Sequence, residues 1–210
     1  MEERVKRILR FIPSALAGFA LIVIVSSAKA NEQEAAAFIS NLANQALQTL
    51  GDVSIPLEAR EEKLRVLLQD GFAMKFIGRY VLGKYWKKMT AAQQEEYQKL
   101  FAEWTLRTYS SRLGGYKNQK FTVVKVIDNG KKDIFVKTRI NQPGGGDPID
   151  CDWRIRKVNG KYKIVDIGIA GISMLLTQKR EFASLLNRNG INGLIEMLRV
   201  RNSKFTAMSS

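Results

Sequence analysis

The sequence predicts an α+β domain: a four-stranded antiparallel meander sheet covered by N- and C-terminal helices that enclose an apolar pocket. Three observations carry that prediction. Apolar residues recur at helical spacing as far as Leu113, the period changes to two beyond Tyr116, and helical spacing returns from Ser173. The alternating segments are joined by short connections, Asn129-Gly130, Pro143-Gly144-Gly145-Gly146 and Asn159-Gly160, whereas parallel strands need crossovers of about a dozen residues or more. Segment 149–158 puts Ile149, Cys151, Trp153 and Ile155 on one face and Asp150, Asp152, Arg154 and Arg156 on the other, so one sheet face is dry and the other wet.

Taken in order, the chain opens with a basic stretch, Arg4, Lys6, Arg7 and Arg10, followed by the apolar run 15–25 and by Ala28-Lys29-Ala30. This is the pattern of a secretory signal removed after Ala30. The run is shorter than the roughly 20 apolar residues that span a bilayer, although Phe11 and Ile12 lengthen it toward an uncleaved anchor, the alternative reading. The expected domain is therefore 31–202, exported from the cytoplasm, with 203–210 a disordered tail.

From Glu34, Ala35, Phe38, Leu42 and Ala46 recur at helical spacing up to the stop at Gly51. Pro56 leads into a charged helix with Leu64, Leu67 and Leu68 as its buried edge and Asp70-Gly71 as its end. A short aromatic helix over 72–83 follows. Thr90-Ala91-Ala92-Gln93 is a capping box that opens a long helix, in which Tyr97, Phe101, Trp104 and Thr108 form an inward stripe before Gly114-Gly115. Strands are expected over 120–128, 133–140, 149–158 and 162–170. Helices follow over 173–189, capped by Gly190, and 192–199, where Leu194, Ile195 and Leu198 line one side.

Composition narrows the function. The 210-residue chain carries a formal charge of +14, and loss of the first thirty residues, with five Lys/Arg and two Asp/Glu, leaves +11. That excess favours anionic partners, and export leaves membrane surfaces or acidic proteins rather than nucleic acid. Histidine is absent, which removes the usual general base and the commonest metal ligand, so no catalytic set, metal site or cofactor is expected. Cys151 is the single cysteine, and its place among Ile149, Trp153 and Ile155 suits a small hydrophobe better than a nucleophile. Asp166 interrupts an apolar strand and reads as structural. The glycines at 144–146 lack the Lys-Ser/Thr of a phosphate loop. Ten aromatic residues between Phe72 and Tyr116 build either an ordinary core or an almost purely apolar cleft suited to acyl chains, and composition does not separate the two.

The segments Val81-Leu82-Gly83-Lys84-Tyr85-Trp86, the helix 94–113, Gly160-Lys161-Tyr162-Lys163-Ile164-Val165-Asp166-Ile167, Gly171-Ile172-Ser173, Gln178-Lys179-Arg180-Glu181-Phe182 and 190–198 together resemble the MlaC family of periplasmic phospholipid-binding proteins, the toluene-tolerance family. The resemblance covers nearly all of the chain after the signal. It implies a non-enzymatic periplasmic carrier that holds phospholipid acyl chains in an apolar pocket. Its partners would be an inner-membrane ABC transporter with its substrate-binding ring and an outer-membrane lipoprotein-porin complex, in a pathway that maintains lipid asymmetry. Hopanoid-linked relatives leave the cargo open. Other readings are an exported lipid-acting enzyme or an interaction factor whose cavity is filled by its own side chains. Phe76, Tyr80, Trp104, Ile140, Trp153, Ile155, Val165, Ile167 and Ile169 are the expected lipid-binding residues, with Arg79, Lys84 and Arg112 as candidates to meet a phosphate or a partner.

Overall fold

The computed structural model describes residues 16–113, 119–128, 130, 132–143 and 145–208; expectations placed on residues 1–15, Gly114-Gly115, Tyr116, Asn129 and Gly144 lie outside them. Helix α1 spans Leu16–Gly51, α2 Leu57–Gly71, α3 Met74–Leu82 and α4 Ala91–Leu113, with a 3-10 turn over Gly83–Lys88 between α3 and α4. Strands β1 (Lys120–Asp128), β2 (Asp133–Asn141), β3 (Ile149–Val158), β4 (Lys161–Ile169) and β5 (Ile172–Ser173) precede helix α5 (Met174–Met208).

The caps explain most boundaries. Pro56, with φ fixed near the helical value, opens α2. At Gly71 a Cβ would meet the Leu42 methyls at 3.1 Å, so α2 ends where it presses on α1. In the capping box the Gln93 amide oxygen accepts from Thr90 N–H at 2.9 Å and the Thr90 hydroxyl from Gln93 N–H at 3.2 Å. Ser173 caps α5, its hydroxyl accepting from Leu176 N–H at 3.0 Å. Gly190, with φ 66 and ψ −173, breaks α5 into two helical segments, as the sequence implied.

The sheet is an antiparallel meander in the order β1-β2-β3-β4-β5. It has one strand more than expected, because Ile172–Ser173 folds back on β4 through the tight turn Ala170-Gly171. Bulges interrupt β1 at Val124 and β4 at Val165. The second lets consecutive residues Ile164 and Val165 both be fully buried. Two boundaries differ from expectation. α1 begins well before Glu34 and passes through the Ala30-Asn31 junction without a break, since 19–30 carries no Gly or Pro. Residues after Asn202 are helical through Met208 rather than disordered, held by Asn202, whose side-chain N–H donates to Leu100 C=O at 3.0 Å, and by Arg201 stacked 5.4 Å over Trp104. Among the described residues no helix is long and apolar enough to cross a membrane.

Two larger cores and a smaller third hold these parts together. One is helical, built on Tyr97 and Phe101 of α4, Val81 and Leu82 of α3, and Phe182, Leu186, Leu194 and Leu198 of α5. The other joins Ala35, Ile39 and Leu42 of α1 to Ile134, Val136, Ile155 and Ile164 of the sheet. Further along α1, Leu50 packs instead with Leu64 and Leu68 of α2 and Leu106 of α4. The helix thus lies on the sheet at one end and leaves it at the other.

Candidate functional site: an apolar cavity between sheet and helices

The departure of α1 from the sheet opens a cavity of about 320 Å³. Its helical wall is the stripe Ile39, Leu42, Ala43, Ala46, Leu47 and Leu50, continued by Phe101, Leu106 and Tyr109 of α4. Ala43 and Ala46 keep the wedge open, because they stand one turn apart where longer side chains would reach the sheet. The sheet contributes three rungs: Phe121, Ile140 and Ile149, then Cys151 and Ile169, then Trp153 and Ile167, with bulged Val165 beside them. Met74 and Ile77 of α3 and Met174, Leu175 and Gln178 of α5 close the far side. Such a lining binds apolar matter with little geometric demand.

Some polar groups at the wall are paired within the protein, whereas Thr105 Oγ1 and Gln119 Oε1 are buried there without a hydrogen-bond partner. Trp153 donates its indole N–H to the Thr138 hydroxyl at 2.8 Å, and that hydroxyl donates to Cys151 C=O at 3.3 Å, so the indole offers the cavity only its rings. Phe121 meets it edge to face at 6.3 Å. Asp166 accepts from the Ser173 hydroxyl at 2.6 Å and from Leu175 N–H at 3.0 Å, which fastens the first turn of α5 to β4. Burial, reinforced by Asp150 and Asp152, pushes the Cys151 thiol up to about 11, so it stays protonated and unreactive at neutral pH. The two side chains with reactive potential therefore act as a helix anchor and a small hydrophobe. Among the described residues no group of acidic or cysteine side chains is arranged to hold a metal ion.

Of the nine residues expected at the site, the cavity collects Ile140, Trp153, Val165, Ile167 and Ile169. Four lie elsewhere. Ile155, on the same face as Trp153 but farther along β3, is fully buried against α1 in the sheet core. Trp104 packs on Phe182 at 5.7 Å and Phe101 at 6.3 Å in the helical core. Phe76 and Tyr80 face away from the cavity into a second, surface groove of about 490 Å³, with Arg79, Gly83, Trp86, Lys87 and Lys179. Lys84 stacks over Tyr85 at 5.5 Å, and the Arg112 side chain is outside the described residues. Sequence reasoning missed the α1 wall, although Ile39, Leu42, Ala46 and Leu50 keep helical spacing. It gave no sign that Ala43 and Ala46 line a cavity.

Three comparisons bear on this geometry. The family model described as MlaC protein matches residues 35–200. The intermembrane phospholipid transport system binding protein MlaC of Haemophilus influenzae is 34% identical over 126 residues, 58% of this chain and 58% of that protein. The toluene tolerance protein ttg2D of Pseudomonas putida is 27% identical over 109 residues, 51% of this chain and 49% of its own length. The aligned part thus spans less than two thirds of each of these relatives. A phospholipid-binding protein from Ralstonia solanacearum, solved with a phospholipid bound, superposes with a TM-score of 0.71 at 24% identity, covering 82% of this chain and 99% of that one, and so has the same fold.

Proposed function

The chain belongs to the MlaC family, and from that premise we propose that it is a phospholipid-binding transport protein whose acyl-chain site is the wedge between α1, α4 and the sheet. The supporting observation is the cavity itself: about 320 Å³ of space walled by aliphatic and aromatic side chains. Ordinary small-molecule pockets run from about 300 to 1,000 Å³. The volume here is at the lower end, as suits a site that widens when a chain enters. The names of the two curated relatives, one an intermembrane phospholipid transport binding protein, point the same way.

The energetics favour a carrier over a sink. Burying a methylene is worth about 0.8 kcal/mol, so a sixteen-carbon chain gains roughly 13 kcal/mol on leaving water. A bilayer offers the same burial, so transfer between bilayer and cavity is nearly balanced and can run either way. We place the working protein in the periplasm, after removal of residues 1–30, where an aqueous gap separates two membranes. There it would exchange phospholipid with an inner-membrane ABC transporter and an outer-membrane lipoprotein-porin complex.

The test is to export the full chain, purify it, sequence its N-terminus and weigh its contents by native mass spectrometry and solvent extraction. About one phospholipid per chain and a start at Asn31 are the expected results. A polycyclic terpenoid in place of phospholipid would reassign the cargo to the hopanoid class. Chains empty after several growth conditions would sink the carrier reading and favour an interaction factor.

A further inference from the structure

The second groove is independent of the cavity and differs from it in chemistry. From Gly71 to Gln94 the chain contains no Asp or Glu, yet carries Lys75, Arg79, Lys84, Lys87 and Lys88. Among the described residues ten ion pairs are formed and none of them uses this run or Lys179, although Arg156, paired with Asp133, lies 4.8 Å over the ring of Phe76 at the groove wall. Four of the cations are held instead over ring faces. Lys179 lies 4.6 Å from the Tyr80 ring centre and Arg79 5.9 Å from that of Trp86, while Lys84 and Lys88 both lie 5.5 Å from Tyr85. Their positive charge is thus positioned but not neutralised.

We infer that this groove docks the protein onto an anionic bilayer surface. Charge complementarity calls for an anionic partner. The aromatic content favours a membrane, because Trp and Tyr settle at the headgroup level with their apolar bodies inward, and Lys side chains reach past them to phosphates. The position fits the purpose. On α3, Ile77 lines the cavity while its neighbour Phe76 lines the groove, and on α5 Gln178 and Lys179 divide in the same way. The two sites lie on opposite sides of one wall of α3 and α5, so a protein seated by the groove holds its cavity one helix layer away from the bilayer surface. This choice of a membrane over an acidic protein rests on the carrier reading.

The experiment measures binding of the purified protein to phosphatidylcholine vesicles with and without phosphatidylglycerol. Binding is expected only to the anionic vesicles, and is expected to vanish near 1 M salt, where the screening length falls to about 3 Å. Arg79→Gln, Lys87→Gln and Lys179→Gln should each weaken it about five-fold and the triple variant on the order of a hundred-fold. Lys125→Gln, on exposed β1 away from the groove, should leave it unchanged. Equal binding to neutral vesicles, an unaffected triple variant, or no vesicle binding at all would overturn the proposal, the last pointing to an acidic protein partner. Lipid extracted from the triple variant separates the two readings. Full cargo with lost vesicle binding supports docking, lost cargo would make these cations part of the cargo site, and an empty wild type that still binds vesicles would remove the carrier reading alone.

Discussion

Leucine at both Ala43 and Ala46 would fill the wedge from the α1 side. The two positions stand one helical turn apart on the cavity wall, and each change adds three carbons to a space of about 320 Å³. At about 0.8 kcal/mol per carbon the six added groups gain roughly 5 kcal/mol of burial, from which overpacking subtracts about 1–3 kcal/mol. The lipid-free protein should therefore be more stable by about 2–4 kcal/mol. For a domain of this size each kcal/mol moves Tm by about 2–4 °C, so a rise of roughly 5–15 °C is expected in a thermal melt. The same six carbons take the place of an equal length of acyl chain, and losing about 5 kcal/mol of contact lowers retention more than a thousand-fold. Mass spectrometry of the purified variant should find it empty. A raised Tm with undiminished lipid content would refute the reasoning, since the wedge would then be a void and the acyl chain would sit elsewhere.

Other outcomes follow from the same geometry. Trp153→Arg sets an unpaired charge against aliphatic walls, and lipid extraction should find the folded variant without cargo; normal loading would remove Trp153 from the site. Ala170 holds φ 49, a left-handed conformation costly for a residue with a Cβ, so Ala170→Gly should raise the urea midpoint by the equivalent of about 1 kcal/mol without changing lipid content. A hydrogen bond from Lys163 at 2.9 Å holds the Asp70 carboxyl below its ordinary 3.8, and Arg139 does the same for Asp150. A depressed carboxyl stabilises the fold above its unfolded value and loses that contribution as pH falls through the folded one. Denaturant titrations should accordingly show stability declining below about pH 4, with a shallower decline in Lys163→Met.

Where local chemistry decides the structure, the sequence was a sufficient guide. The Thr90-Gln93 capping box, the Asn159-Gly160 hairpin with φ 50 and 78, and the break at Gly190 each depend on residues within a few positions of one another. The sheet order followed from loop length. The site was only half legible because periodicity reports that a side chain points inward, not what it meets there. Trp104 points inward and meets Phe182, from a helix more than seventy residues away. Ala46 also points inward, and it lines the cavity at the edge of the Leu50–Leu64 cluster. Ile155 shares a face with Trp153, yet it lies farther along β3, where Ala35, Ile39 and Leu42 of α1 cover the sheet, and strand periodicity does not mark where a helix rests. On α3 the large apolar residues divided between two faces, so Phe76 and Tyr80 went to the groove while Met74 and Ile77 went to the cavity.

The placement of α5 bears on when the chain can fold. Its residues Leu175, Phe182, Leu186, Leu194, Ile195 and Leu198 make up half of the helical core, and their partners Tyr97 and Phe101 lie some eighty residues earlier. A nascent chain still missing α5 cannot cover those two rings, and contacts so distant in sequence form slowly. The helical core therefore remains open until α5 has been synthesised. For the export proposed above, that delay would keep the polypeptide extended until α5 has followed the rest of the chain through a narrow channel.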